Sequence, residues 1–152
     1  EVINDYVKNG GTVINQYNTS FNLKTKSISP FALNLSRKRV TNEAAKVKIN
    51  NPKHRLFNYP NTISNSDFEN WVQERGLYFP DSWAPEFEAV LTMNDKGETP
   101  LQGGLLIAKH GKGHYIYTGL SFFRQLPAGV PGAIKLFTNM LSVSDLNKTL
   151  EN

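Results

Sequence analysis

The run Glu1-Val2-Ile3-Asn4-Asp5-Tyr6-Val7-Lys8-Asn9-Gly10-Gly11-Thr12-Val13-Ile14-Asn15-Gln16-Tyr17 changes its hydrophobic period once, and that change decides the fold class. Before the glycines, Val2, Ile3, Tyr6 and Val7 recur at helical spacing, so residues 1–9 read as the end of an amphipathic helix. Gly10-Gly11 stops it, because glycine enters the left-handed backbone of a helix C-cap without a Cβ clash. Thr12 to Tyr17 is then a β-branched run, expected as a buried strand with Val13 to Tyr17 internal to its sheet. Helix, Gly-Gly, strand is half of a βαβ unit, whose earlier strand would precede residue 1. The expectation is an α/β sheet with flanking helices, incomplete at its N-terminal side and leaving an edge open to pair with another chain.

Downstream, residues 19–45 hold no sustained period and read as a loop-rich basic excursion. Lys24, Lys26, Arg37, Lys38, Arg39, Lys46, Lys48, Lys53 and Arg55 fall in a stretch whose one acid is Glu43. Such a run is usually a solvated face, and its functional alternative is a surface for an acidic polymer or anionic glycan. Lys46 to Ile49 is a short strand candidate before the turn Asn50-Asn51-Pro52. Asn65 or Ser66 can cap a helix through Asp67, Phe68, Glu69, Trp71, Val72 and Arg75, ended by Gly76. Phe87 to Met93 reads as a strand and Asn94 to Gly97 as a turn. Leu105–His110 and His114–Thr118 read as a hairpin on Gly111-Lys112-Gly113. Pro131 to Leu141 is a helix, with Ile134, Leu136, Phe137, Met140 and Leu141 as its apolar face.

Composition narrows the chemistry. The 152 residues, 39% hydrophobic and 20% charged, suit one folded domain over 1–152, and the sequence opens on Glu1 as a piece of a longer chain would. No apolar run approaches the ~18–20 residues of a membrane span, so no membrane partner is expected. With a net charge of only +4, nucleic acid is not an expected partner either. The absence of Cys excludes disulfides, thiolate metal sites and a Cys nucleophile. His110 and His114 flank the hairpin turn, where a His-x-x-x-His spacing loses the one-face geometry that binds metal on a helix. They read as exposed turn histidines, and no metal or cofactor is expected. No serine lies in a Gly-x-Ser-x-Gly elbow, and neither Gly10-Gly11 nor Gly103-Gly104 is followed by the Lys of a phosphate loop.

Two stretches carry candidate binding residues. On a helix, Trp71 would stand three and four residues before Glu74 and Arg75, placing an aromatic ring, a carboxylate and a guanidinium on one face. Arg124 and Gln125 follow the strand ending at Thr118-Gly119, and ligands of α/β sheets gather beyond such strand ends. The expected ligand-binding set is Trp71, Glu74, Arg75, Tyr117, Arg124 and Gln125, lining a concave polar site in which the indole meets the C–H face of a sugar. Its alternative is a core Trp71, with Glu74 and Arg75 in structural pairs.

Four segments also carry a resemblance: Tyr6-Val7-Lys8-Asn9-Gly10-Gly11-Thr12, Trp71 to Phe79, Gly111 to Gly119, and Phe123-Arg124-Gln125-Leu126-Pro127-Ala128-Gly129-Val130-Pro131-Gly132-Ala133. Together, over nearly the whole chain, they resemble the carboxy-terminal amidotransferase-like domain attached to PIG-L/LmbE-type deacetylases of Bacteroidetes bacteria. The Tyr-Val-x-x-Gly-Gly and Gly-Lys-Gly elements are shared with trehalose-utilisation (ThuA-like) domains. The resemblance implies a flavodoxin-like sheet of the class I glutamine amidotransferase type. There a nucleophilic Cys follows a strand at a sharp elbow; the corresponding place here is near Gln16, Tyr17 and Asn18, none of which is such a nucleophile. The deacetylase zinc site of the family is introduced by an Ala-His-Pro-Asp-Asp motif in a separate amino-terminal domain, and neither His-Pro nor Asp-Asp occurs in this sequence. What the resemblance implies is a non-catalytic accessory domain of a zinc-dependent amino-sugar deacetylase, with no cofactor of its own. Its expected partners are the remainder of that chain, a glycan, and a second copy met through the open sheet edge. The alternative is a structural or oligomerising domain with a decayed ancestral site. An extracytoplasmic compartment is slightly favoured over the cytoplasm.

Overall fold

The computed structural model describes residues 2–145 apart from Ser20, Asn22 and Lys26, so Glu1 of the expected helix and Lys26 of the basic run lie outside the described residues. In chain order the elements are α1 (Val2–Lys8), β1 (Thr12–Gln16), β2 (Leu33–Asn34), β3 (Lys38–Val40), β4 (Val47–Ile49) and 3-10 turns at Arg55–Phe57 and Asn65–Phe68. There follow β5 (Gly76–Phe79), β6 (Ser82–Trp83), β7 (Phe87–Ala89), β8 (Leu91–Met93), β9 (Leu105–His110), β10 (Gly113–Thr118), α2 (Phe122–Gln125) and α3 (Pro131–Leu141). No helix among the described residues is long and apolar enough to cross a membrane.

The hairpin β9–β10 is the centre, as its continuous apolar runs dictate: nine of its twelve residues are buried. β10 pairs antiparallel with β9 and parallel with β1, from Thr12↔His114 to Gln16↔Thr118, and β7 joins antiparallel to β9. The result is a mixed α/β fold on a four-stranded mixed sheet in the order β1-β10-β9-β7, with three two-stranded ladders beside it. β1 is therefore an edge strand, not the internal strand expected of Val13 to Tyr17. Four of its five residues are half-buried, and its outer side has no strand partner among the described residues.

Period-two alternation assigns each side chain of the hairpin to a face. Leu105, Ile107 and Ile116 join Trp71, Phe79, Phe122, Leu136 and Met140 in a core roofed by α2 and α3. Leu106, Ala108, Tyr115 and Tyr117 face the other way, against Phe87, Ile28, Phe31, Leu33, Leu35 and Trp83. The excursion at 19–45 is thus more than a solvated loop: its apolar residues cover the second face, where a flanking helix was expected. The hydroxyl of Tyr115 donates to the carbonyl of Ile28 and fixes that cover. The basic side chains of the excursion, Lys24, Arg37, Lys38 and Arg39, point to solvent, as do Lys46, Lys48 and Lys53 beyond it.

Three further expectations are corrected. Of the apolar face of α1 only Val7 is buried; Val2, Ile3 and Tyr6 are exposed, because the short helix docks by its C-terminal end on the hairpin tip, where Lys112 N–H donates to Lys8 O at 3.0 Å. The run 87–93 is two strands, since Val90 turns the chain from the main sheet (β7) into the ladder with β4 (β8). α3 has the expected bounds, but Ile134 and Leu141 point outward, and the buried Asn139 takes their place. Its side chain donates to Leu56 O at 2.8 Å and Asn61 O at 2.7 Å and accepts from Asn61 N–H at 2.9 Å.

The helix expected over 65–75 does not form beyond its first turn, and Asn70 (φ 59°) and Gln73 (φ 69°) are left-handed. Its carbonyls are taken by side chains. Trp71 Nε1 donates to Asp67 O at 3.0 Å, where a helix would bring the amide of residue 71. Phe68 O, the acceptor a helix needs for Val72, receives Arg75 Nη1, and Val72 N–H donates instead to Gln125 Oε1 at 2.8 Å. Trp71, Glu74 and Arg75 consequently do not share a helix face.

Candidate functional site

β1 and β10 run parallel and end side by side at Gln16↔Thr118, and the C-terminal ends of such strands are where α/β sheets hold ligands. The chain leaves β1 at Tyr17, which donates its N–H to Thr118 O at 2.8 Å and turns through a left-handed φ of 52°. For a bulky residue that backbone costs about 1–2 kcal/mol, and it persists only where the surroundings impose it. The segment 74–78 lies against the same strand ends. Leu77 N–H donates to Gly119 O at 2.9 Å, and the approach is close enough that a Cβ on Gly76 would stand 2.1 Å from Gly119 O. Tyr78 is also left-handed, at φ 62°.

These two strained turns bring their side chains together. The Tyr17 hydroxyl donates to Glu74 Oε1 at 2.6 Å. The Tyr17 ring meets Tyr78 edge-on at 5.1 Å and Phe123 edge-on at 4.7 Å. The Arg124 guanidinium lies over the Phe123 ring at 5.0 Å, and both residues are exposed. Burial first, and then the hydrogen bond to Glu74, push the Tyr17 hydroxyl well above the usual phenol range. It therefore stays a protonated donor to Glu74.

The six residues expected to bind ligand fall into three environments. Glu74 and Arg124 join the strand-end aromatic cluster just described. Tyr117 and Gln125, both 0% exposed, are pins within the fold. The Tyr117 hydroxyl donates to Tyr78 O at 2.8 Å, holding the strained turn. Gln125 accepts from Val72 N–H, and its Nε2 donates to Val72 O at 2.9 Å and Ser121 Oγ at 3.0 Å. Trp71 and Arg75 lie elsewhere, on a groove of about 710 Å³ between residues 43–47 and 65–71. Arg75 Nε and Nη2 donate to Ala45 O at 3.0 and 2.8 Å, and the guanidinium lies 5.6 Å from the Trp71 ring centre.

The sequence reading passed over Tyr78 and Phe123. Phe123 was signalled by its place directly beyond the strand end, while nothing local marks Tyr78. Tyr17 was signalled by the elbow that the resemblance places after β1.

The histidines are half-buried rather than exposed in the turn. His114 Nδ1 shares a hydrogen bond of 2.9 Å with Ser144 Oγ, to which Thr12 Oγ1 donates at 2.7 Å. Burial, reinforced by Lys109, His54 and Arg55, pushes His114 down to about 4. His110 stands edge-on to Phe31 at 5.2 Å. Among the described residues no three His, Cys, Asp or Glu side chains group as metal ligands would.

The fold and site together define a mixed α/β domain with an aromatic, charged cluster at the ends of the parallel pair β1 and β10. The chain matches no protein-family model, no curated protein and no solved structure at a significant level.

Proposed function

We propose that this chain is a non-catalytic accessory domain that binds glycan at the strand-end cluster, within a PIG-L/LmbE-type deacetylase of N-acetylated amino sugars. The observation that carries the binding is the convergence of Tyr17, Tyr78 and Phe123 with Glu74 and Arg124 where β1 and β10 end. Aromatic rings offer apolar faces to the C–H side of a pyranose, while a carboxylate and a guanidinium satisfy hydroxyls in fixed directions. Two left-handed residues, Tyr17 and Tyr78, hold this surface, and backbone strain of that kind concentrates at ligand sites. The flavodoxin-like parentage draws support from the elbow at Tyr17 following a strand of a parallel pair. A protonated tyrosine at that elbow suits binding and not acyl transfer. Any zinc chemistry would belong to another part of the parent chain.

The test is titration with N-acetylglucosamine oligomers and peptidoglycan fragments, followed by amide NMR shifts. Saturable changes are expected at Tyr17, Tyr78 and Phe123, and Phe123→Ala should abolish them with the fold intact. Flat spectra at millimolar ligand would refute the proposal. A second reading, a structural or oligomerising domain, has its own observation: the unpaired side of β1 together with exposed Val2, Ile3 and Tyr6. Light scattering separates the two, since a stable dimer without glycan binding leaves only that reading.

A further inference from the structure

Arg75 is 4% exposed, and no carboxylate lies within ion-pair distance of it among the described residues. A buried guanidinium is costly, and here the Glu43 carboxylate, acting from beyond ion-pair distance, and three hydrogen bonds to two carbonyls, Ala45 O and Phe68 O, offset only part of the cost. Those bonds use Nε–H and one hydrogen on each terminal nitrogen. Of the five N–H bonds of a guanidinium, one on Nη1 and one on Nη2 have no acceptor among the described residues. Arg75 is also a lining residue of the groove between 43–47 and 65–71, whose walls it staples together and whose apolar surfaces come from Trp71, Phe68 and Val47.

We propose that this groove is a binding site for a small hydroxylated monocarboxylate of sugar-acid size, with Arg75 as the partner of its carboxylate. A volume of about 710 Å³ lies within the range of small-molecule sites. Arginine is the side chain suited to a carboxylate, because its planar donors match the two oxygens. The rim sets the charge of the ligand. Exposed Glu43 and Lys46 line one wall of the groove and exposed Glu69 the other, so a phosphate dianion meets two carboxylates, whereas a monoanion seated on Arg75 leaves them to accept from ligand hydroxyls. Trp71, buried beside the guanidinium at the base of the groove lining, is an internal reporter of what binds there. This site is separate from the strand-end cluster and does not depend on it.

The chain holds two tryptophans, so a Trp83→Phe background leaves Trp71 as the fluorescent probe. Glucuronate and glucose, titrated at constant ionic strength, differ at the carboxylate alone. Glucuronate should quench or shift Trp71 saturably and bind about tenfold tighter than glucose, or more, as hydrogen bonds to a charged group imply. Arg75→Gln should erase the preference. Because that change also unfastens the two walls, Ala44→Phe, at an exposed rim position, serves as the second variant and should block the response in a folded protein. Phe123→Ala should leave it intact. The proposal is overturned by no saturable response to glucuronate, by equal responses to both sugars, by a response that survives Ala44→Phe, or by one that Phe123→Ala removes.

Discussion

Replacing Tyr17 with glycine relieves its left-handed backbone, and yet the protein should lose stability. A tyrosine at φ 52° stores about 1–2 kcal/mol that glycine does not. Against this relief stand two edge-on ring contacts, with Tyr78 and Phe123, at about 0.5–1.5 kcal/mol each. The hydrogen bond to the Glu74 carboxylate adds about 1.5 kcal/mol, and the extra unfolded-state entropy of glycine costs a further ~0.5–1 kcal/mol. The losses exceed the relief by about 3 kcal/mol. Urea unfolding followed by tryptophan fluorescence should show the unfolding free energy falling by that amount, seen as a lower midpoint with an unchanged slope. Tyr17→Phe, which keeps both ring contacts, should lose only about 1 kcal/mol because half-buried Glu74 can turn to water. A Tyr17→Gly protein as stable as the parent would refute the argument that ring packing imposes the strained turn, and the strand-end cluster would then be an ordinary loop.

Three other perturbations test the surroundings of the site. His114, held down to about 4 when folded against an ordinary 6.5, takes up a proton more readily in the unfolded chain. Stability should therefore be fully present above pH 6.5 and fall as the pH drops toward 4, by about 1–2 kcal/mol after solvent screening of the half-buried ring, with His114→Gln flattening the slope in denaturant titrations. Gln125→Leu leaves the N–H of Val72 unpaired beside a core, while its C=O still accepts from Glu74 N–H, and should cost about 1–3 kcal/mol by thermal unfolding. Gly76→Ala sets a Cβ 2.1 Å from Gly119 O, so 74–78 must move off the strand ends; calorimetry should show a loss of about 2 kcal/mol or more, with the Tyr17 and Tyr78 resonances displaced.

What was legible in the sequence followed local rules. α3 begins at Pro131 and ends at Leu141 because a proline opens it and an apolar stripe continues through it, and β9–β10 closes on two glycines between continuous apolar runs. The split at Val90 was not legible, since 87–93 is one apolar run whichever sheet its halves join. The position of β1 at an edge was equally hidden, because a β-branched run states that a strand forms and not how many neighbours it has. The face covered by Phe31, Leu33 and Leu35 was in principle readable as a period of two, but it lay inside a stretch dominated by Ser, Asn and basic residues.

The segment 65–78 shows why the candidate site itself was only half legible. Its propensities and capping residues favour a helix, and Ser64 N–H does donate to Asp67 Oδ2 at 2.8 Å as a capping box requires. A helix survives only while its carbonyls await its own amides. Here Asp67 O is taken by the indole of Trp71, Phe68 O by Arg75, and both backbone groups of Val72 by Gln125, fifty-three residues away in sequence. Each of these bonds is long-range or involves a side chain, so no periodicity records it. Their effect is to straighten the chain between Gln73 and Tyr78 and lay it along the ends of β1 and β10. Adjacent residues then face apart, Glu74 toward the Tyr17 hydroxyl and Arg75 toward Ala45 and Phe68. The same residues that the sequence grouped on one helix face thus lie in two different environments, and the chain continues at Gly76, where no side chain could fit against Gly119.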